Sequence, residues 1–137
     1  MVDSIRKVDY YSMMIPNRPG EAFKVLSALV SGGVNLLACT ACARGHRAQI
    51  DVVPDDKRRF NAAAKKAGLK FDAKKTGFMV QGDDRAGAVA EHLKRLSDAG
   101  VNVTAVDAIT VGEGRFGAIL WVDMSGLARA ARVLRMH

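Results

Sequence analysis

Apolar positions along this chain alternate between two spacings, and the change of spacing marks out its elements. Tyr10–Ile15 is a short apolar run rich in aromatics and methionine, the pattern of a strand. Pro16-Asn17-Arg18-Pro19-Gly20 interrupts it. Pro19 suits a first helical turn, where its missing N–H costs nothing, and Asn17 is placed to cap that turn. Ala22, Val25, Leu26 and Leu29 then recur at helical spacing until Gly32-Gly33 closes the helix. Val34–Ala43 and Arg47–Val53 read as two strands joined by Arg44-Gly45 and a tight turn. Pro54-Asp55-Asp56 opens a second helix that carries Phe60, Ala63, Ala64 and Ala67 on one face. Leu69–Lys75 fits a closing strand.

The same order returns further on. Gly77–Gln81 reads as a strand and Gly82-Asp83-Asp84 as a turn. Ala86, Val89, Leu93 and Leu96 form a helical stripe that Gly100 ends. Val101–Val111 and Phe116–Val122 form a hairpin, and Ser125–Met136 a last helix with Ser125 as its cap. Aligned at an offset of 67, Arg18 meets Arg85, Gly20 meets Gly87, and Gly33-Val34-Asn35 meets Gly100-Val101-Asn102. The chain is therefore read as two copies of one unit, 1–75 and 76–137. Nothing past His137 is left to close the second copy, so its sheet is expected to lack a last strand or to borrow one. Each copy is too small for a large core of its own. The strand after Asn35 is apolar on both faces, with Leu36, Ala38, Thr40 and Cys42 on one and Leu37, Cys39 and Ala41 on the other. Something is expected to cover the second face, either the other copy or another subunit, and the chain is read as a homodimer.

The motif Asn17-Arg18-Pro19-Gly20, a helix of some thirteen residues, then Gly33-Val34-Asn35 resembles the signature of the ACT domain family. In the second copy it is eroded: Asp84 stands for the Asn and Ala86 for the Pro, while Arg85, Gly87 and Asn102 remain. The resemblance implies an α+β fold of two ferredoxin-like βαββα(β) units, with antiparallel sheets and helices on one face. It also implies a stand-alone tandem protein that binds an amino acid, regulates a metabolic enzyme and catalyses nothing. In the family, Asn residues matching Asn17 and Asn35 contact the ligand across an interface between two units. The expected site is Ile15, Asn17, Arg18, Pro19, Gly20 and Asn35, with a possible second site at Asp84, Arg85, Gly87 and Asn102. Serine-binding members often carry a His where this chain has Ile15, so the resemblance implies a more apolar ligand here.

Elementary chemistry agrees with a ligand role. A sharp turn into a helix leaves first-turn N–H groups unpaired, and with the helix dipole they favour an anion such as an α-carboxylate. The alternative is that Asn17 and Asn35 only cap local structure.

The chain has 137 residues, 49% of them hydrophobic and 26% charged, which excludes a disordered polymer. Mean hydropathy is +0.01, and no run is long enough to span a bilayer. No secretory leader is legible, and two cysteines build no disulfide scaffold, so a cytoplasmic protein with reduced thiols is expected. Net charge is +7, with eight Lys or Arg against three Asp between Asp55 and Lys75. This keeps an RNA-binding alternative open, using Lys57, Arg58, Arg59, Lys65 and Lys66 with stacking by Phe116 and Trp121. The segment Gly112–Gly117 only loosely fits such a module, and core packing of both aromatics is the preferred reading. The third alternative is a scaffold with no ligand. Cys39 and Cys42 have CxxC spacing but fall within a strand, so they are read as buried thiols instead of a redox pair. With His46, His92 and His137 they make no metal set and no nucleophile set, and no cofactor is expected.

Overall fold

A computed structural model describes residues 3–135. The fold is α+β. Its elements run β1 (Ser4–Pro16), α1 (Glu21–Ser31), β2 (Leu36–Arg44), β3 (Arg47–Pro54), α2 (Lys57–Ala67), β4 (Lys75–Asp83), α3 (Ala88–Asp98), β5 (Val103–Gly112), β6 (Arg115–Val122) and α4 (Leu127–Arg135). A 3-10 turn over Met124–Gly126 leads into α4. Met136, expected to end that helix, and the terminal His137 lie outside the described residues.

The chain forms two compact units. One is Asp9–Lys75; the other joins the residues up to Val8 with those from Thr76 onward. The first eight residues thus go with the later unit, where the sequence reading grouped them with the earlier one. In the Asp9–Lys75 unit the strand order is β2-β3-β1; in the other it is β1-β4-β6-β5, with β1 contributing its opening residues. The pairs β1/β3, β2/β3, β4/β6 and β5/β6 are antiparallel. Strand β1 begins six residues before the apolar run that announced it, because Ile5 is partly buried against the later unit's core while Arg6 and Lys7 stay exposed.

Each unit buries one core under its two helices. In Asp9–Lys75, Val25 and Leu29 of α1 and Phe60 and Ala63 of α2 pack on Tyr11, Ile50 and Val52. In the other unit, Leu96 of α3 and Ala130 and Leu134 of α4 pack on Phe78, Leu120 and Val122. The repeat is visible in single hydrogen bonds. Val34 N donates to Leu29 O at 3.0 Å, and Val101 N to Leu96 O at 2.8 Å. Asp55 N donates to Asn35 O at 3.0 Å, and Asp123 N to Asn102 O at 3.1 Å.

Three local expectations are corrected. Asn17 does not cap α1, nor Ser125 the last helix: Gly20 stands at the cap of α1 with no side-chain cap bond, and Asp123 precedes the 3-10 turn. Leu69–Lys75 is not a strand. Only Lys75 enters β4, and the preceding residues run as coil, tied to β1 by Asp72 N donating to Ser12 O at 2.8 Å. The expected facing of Leu36 with Ala38, Thr40 and Cys42 is broken by a bulge between Leu36 and Ala38. Leu36 packs on the core, whereas Ala38, Thr40 and Cys42 pair with Val53, Asp51 and Gln49 on the opposite face.

Candidate functional site

Two loops, one per copy, carry the repeated motif into a helix. The loop 16–20 is pinned to the following hairpin turn: Asn17 N donates to His46 O at 2.9 Å, and Asn17 Nδ2 to Gly45 O at 3.0 Å. Asp84 repeats the first bond, its N donating to Gly114 O at 2.8 Å. Each helix is then entered through a glycine in the left-handed region, Gly20 at φ +88° and Gly87 at φ +83°. A Cβ at either position would meet open space. The backbone angle, and not a close approach, is what favours glycine there.

The arginines of the two loops do different work. Arg18 is largely exposed and donates from Nη2 to Glu21 Oε2 at 3.1 Å. Arg85 is fully engaged. Nη1 donates to Asp3 Oδ1 at 3.0 Å and to Asp83 O at 3.0 Å; Nη2 donates to Asp3 Oδ2 at 3.2 Å and to Glu91 Oε2 at 3.0 Å. The same Asp3 carboxylate lies 2.7 Å from Nε2 of the buried His92, whose Nδ1 is 3.3 Å from Arg95 Nη1. Burial pushes the Asp3 carboxyl up, but the hydrogen bonds and charges of Arg85 and His92 outweigh it and hold it below the usual carboxylate range. Arg85 is raised above its ordinary value by Asp3 and Glu91, and Arg85 in turn lowers Glu91.

The structure does not bring the whole expected site together within one unit. Arg18, Pro19 and Gly20 follow Asn17 directly in the loop. Ile15 is buried in the core beneath it. Asn35 follows the far end of α1, and β2 then takes nine residues, about 30 Å of strand, to return to the turn that holds Asn17. Asn102 is likewise at the far end of α3 from Asp84, Arg85 and Gly87, and its Nδ2 donates to Asp123 Oδ2 at 3.3 Å.

A groove of about 360 Å³ opens at the second loop. Asp84, Arg85 and Gly87 form one side, at the start of α3. The apolar part of the lining comes from Val89 of α3 and from Ala108, Ile109 and Phe116 of β5 and β6. Ile109 is 70% exposed, and because it pairs with Gly117 its side chain leaves the face of β5 opposite to that of Phe116.

Other candidates are placed as follows. Phe116 and Trp121 are both buried, so neither offers a face for stacking a base. Lys57, Arg58, Arg59, Lys65 and Lys66 are exposed along α2. Cys39 and Cys42 are free thiols and, contrary to expectation, exposed, because β2 ends the strand order of its unit. Partial burial and the Asp51 charge still push the Cys39 thiol up. Among the described residues no group of three or more His, Cys, Asp or Glu is arranged to hold a metal, and no helix is long and apolar enough to cross a membrane.

Two polar clusters escaped sequence reasoning. One is the Asp3 network. Asp3 lies more than 80 positions from Arg85 and His92, a distance that no local pattern bridges. The other is a row across three strands in the Asp9–Lys75 unit. Ser12 donates to Asp51, Thr40 Oγ1 to Asp51 Oδ2 at 3.1 Å, and Gln49 Nε2 to Asp51 Oδ1 at 2.9 Å. Register alone unites this row: Ser12 and Thr40 both face Asp51.

No family model matches the chain, and no curated protein is detectably similar to it in sequence. Solved structures are similar in fold. A Bacteroides thetaiotaomicron protein aligns over 96% of this chain and 88% of its own, at TM-score 0.82 and 17% identity. The regulatory subunit of aspartate kinase from Thermus thermophilus, in its ligand-free form, aligns over 97% of this chain and 94% of its own, at TM-score 0.66 and 17% identity. Its Thermus flavus counterpart aligns over the same shares at TM-score 0.64 and 18% identity. At such identities the likeness is one of fold: this chain has the fold of the regulatory subunits of aspartate kinase.

Proposed function

We propose that this chain is a non-catalytic regulatory protein of the tandem ACT type that binds an amino acid. The observation that carries the reading is the groove at Asp84, Arg85 and Gly87, at the position where the repeated motif enters a helix. The first turn of α3 offers N–H groups and a positive dipole end to an α-carboxylate. The apolar lining at Val89, Ala108 and Phe116 favours an apolar side chain over serine. Asn17, Arg18, Pro19 and Gly20 supply the matching carboxylate end in the first copy. Asn35, at the other end of its unit, reaches a ligand there only from a second copy of the chain. Exposed Ile109 and Val111, two residues apart on β5, support an association between copies. The similarity to regulatory subunits supports a metabolic enzyme as the partner whose activity the ligand sets.

The test is a thermal-shift screen against the twenty amino acids, followed by calorimetry. One apolar amino acid raises the melting temperature by about 5 °C near 100 times its dissociation constant. Ala108→Phe, which fills the groove floor, removes that shift without lowering the ligand-free melting temperature. A flat response to all twenty overturns the reading.

A further inference from the structure

A second, larger groove lies elsewhere, in the Asp9–Lys75 unit. It has a volume of about 520 Å³ and runs between α2 and the coil that follows it. Its floor is aromatic and aliphatic. Tyr11 and Phe60 stack with ring centroids 4.5 Å apart, and Phe71 stands edge-on to Phe60 at 5.0 Å. Leu69 and Phe71 are only half-buried, so part of this apolar surface is uncovered.

The rim is basic. Lys65, Lys70 and Lys74 line the groove against one acid, Asp72, and all four are exposed. A helix cap does not account for these lysines, and ion pairing engages Lys74 alone. The end of α2 is already closed by its own backbone: Gly68, at φ +71°, donates to Lys65 O at 3.2 Å, and Leu69 N donates to Ala64 O at 2.9 Å. Lys74 lies 3.9 Å from Asp9, a carboxylate that it shares with Lys57 at the same distance. One carboxylate between two ammonium groups leaves the rim positive. Asn61, on the same face of α2, adds an amide that both donates and accepts.

We infer that this groove is a binding site for a small heteroaromatic phosphate, the chemistry of a mononucleotide. The ring lies against Leu69 and Phe71, with Asn61 reading its polar edge. The phosphate meets Lys65, Lys70 and Lys74. The volume falls in the range of about 300–1,000 Å³ typical of small-molecule sites. A charged rim around an apolar floor selects for ring and anion together, since neither half alone satisfies both. This site is separate from the groove at Arg85 and does not depend on the amino-acid reading.

The experiment is titration of the full chain with AMP, adenosine and inorganic phosphate at low salt, followed by amide NMR and calorimetry. AMP binds saturably and shifts the amides of Ala64, Leu69 and Phe71. Adenosine and phosphate each bind at least about tenfold more weakly, a difference of about 1.4 kcal/mol. Lys70→Ala/Lys74→Ala weakens AMP by at least about tenfold and leaves the melting temperature unchanged, because both side chains are exposed. The inference is overturned by an AMP titration that does not saturate by about 5 mM, by phosphate binding as tightly as AMP, or by shifts confined to other residues. An RNA hexamer that binds through the same lysines far more tightly than AMP also overturns it, since the ligand is then a nucleic-acid strand. Because the probes contain no amino acid, failure here leaves the groove at Arg85 untouched.

Discussion

Asp3 and Arg85 form a two-pronged ion pair, Oδ1 to Nη1 at 3.0 Å and Oδ2 to Nη2 at 3.2 Å, with the Asp3 side chain only 1% exposed. Asp3 directly precedes β1, and Arg85 sits in the loop that enters α3. The pair therefore ties the opening residues of the chain to the rim of the groove, with His92 completing the shell around the carboxylate. Asp3→Asn leaves Arg85 with Glu91 as its one carboxylate and is expected to cost about 2 kcal/mol, less than a fully buried broken pair because Arg85 stays partly solvated. Urea unfolding reads this directly, as a fall in the midpoint at unchanged slope.

The pH dependence of that cost has a definite sign. The Asp3 carboxyl is held below its ordinary value in the folded state, so the folded protein keeps it ionised where the unfolded chain takes up a proton. Its contribution is complete above about pH 4 and is lost as pH falls through the lowered value. The stability gap between wild type and Asp3→Asn is expected to be constant near neutrality and to close in the acid range. Denaturant melts at a series of pH values measure it. A gap that widens on acidification contradicts the assignment.

Glycines near this pair differ in why they are glycine. A Cβ on Gly82 would overlap the Asp3 carboxylate, whereas one on Gly87 meets nothing. Gly87→Ala is expected to cost about 1 kcal/mol, the strain of a left-handed alanine. Gly82→Ala is expected to cost more, because it displaces a paired buried carboxylate. In the Asp3→Asn background Gly82→Ala should lose part of its penalty, which a double-mutant cycle detects.

The buried row on Asp51 makes a different prediction. Asp51→Ala strands three donors, Ser12, Thr40 and Gln49, and is expected to destabilise by about 3 kcal/mol. Ser12→Ala removes one donor of three and should cost about 1 kcal/mol. Thermal unfolding of the two variants separates these outcomes.

Asn35 tests the ligand reading from the side of stability. Its residue is exposed, and the bond that it makes to Asp55 uses its carbonyl, which an alanine retains. Asn35→Ala is expected to cost the ligand-free protein no more than about 1 kcal/mol and to remove the part of the stabilisation that comes from a ligand at the Asn17–Gly20 loop. Strong destabilisation with no ligand effect assigns the residue to structure alone.

Local pattern was enough for the repeat, the helix faces and the order of the elements, except for the strand expected over 69–75. Each of these is written in local spacing. Gly33-Val34-Asn35 and Gly100-Val101-Asn102 announced two equivalent connections, and both appear with the same backbone bonds to the residues after β3 and β6. Val25, Leu29, Phe60 and Leu96 are buried as their helical period requires. The tertiary structure alone decided what depends on partners distant along the chain. Ile5 packs in the core that forms around Phe78 because the opening of β1 belongs to the later unit, and no local pattern encodes where a strand will pair. The bulge after Leu36 reassigns faces by one residue, which alternation cannot foresee. Asp3 and Arg85 stand 82 positions apart, and only folding brings the carboxylate to the guanidinium. The open groove emerged beside the eroded copy of the motif, because its walls come from β5 and β6 as well as from the loop. The motif marks where a helix begins; the shape next to it is set by the strands that pack there.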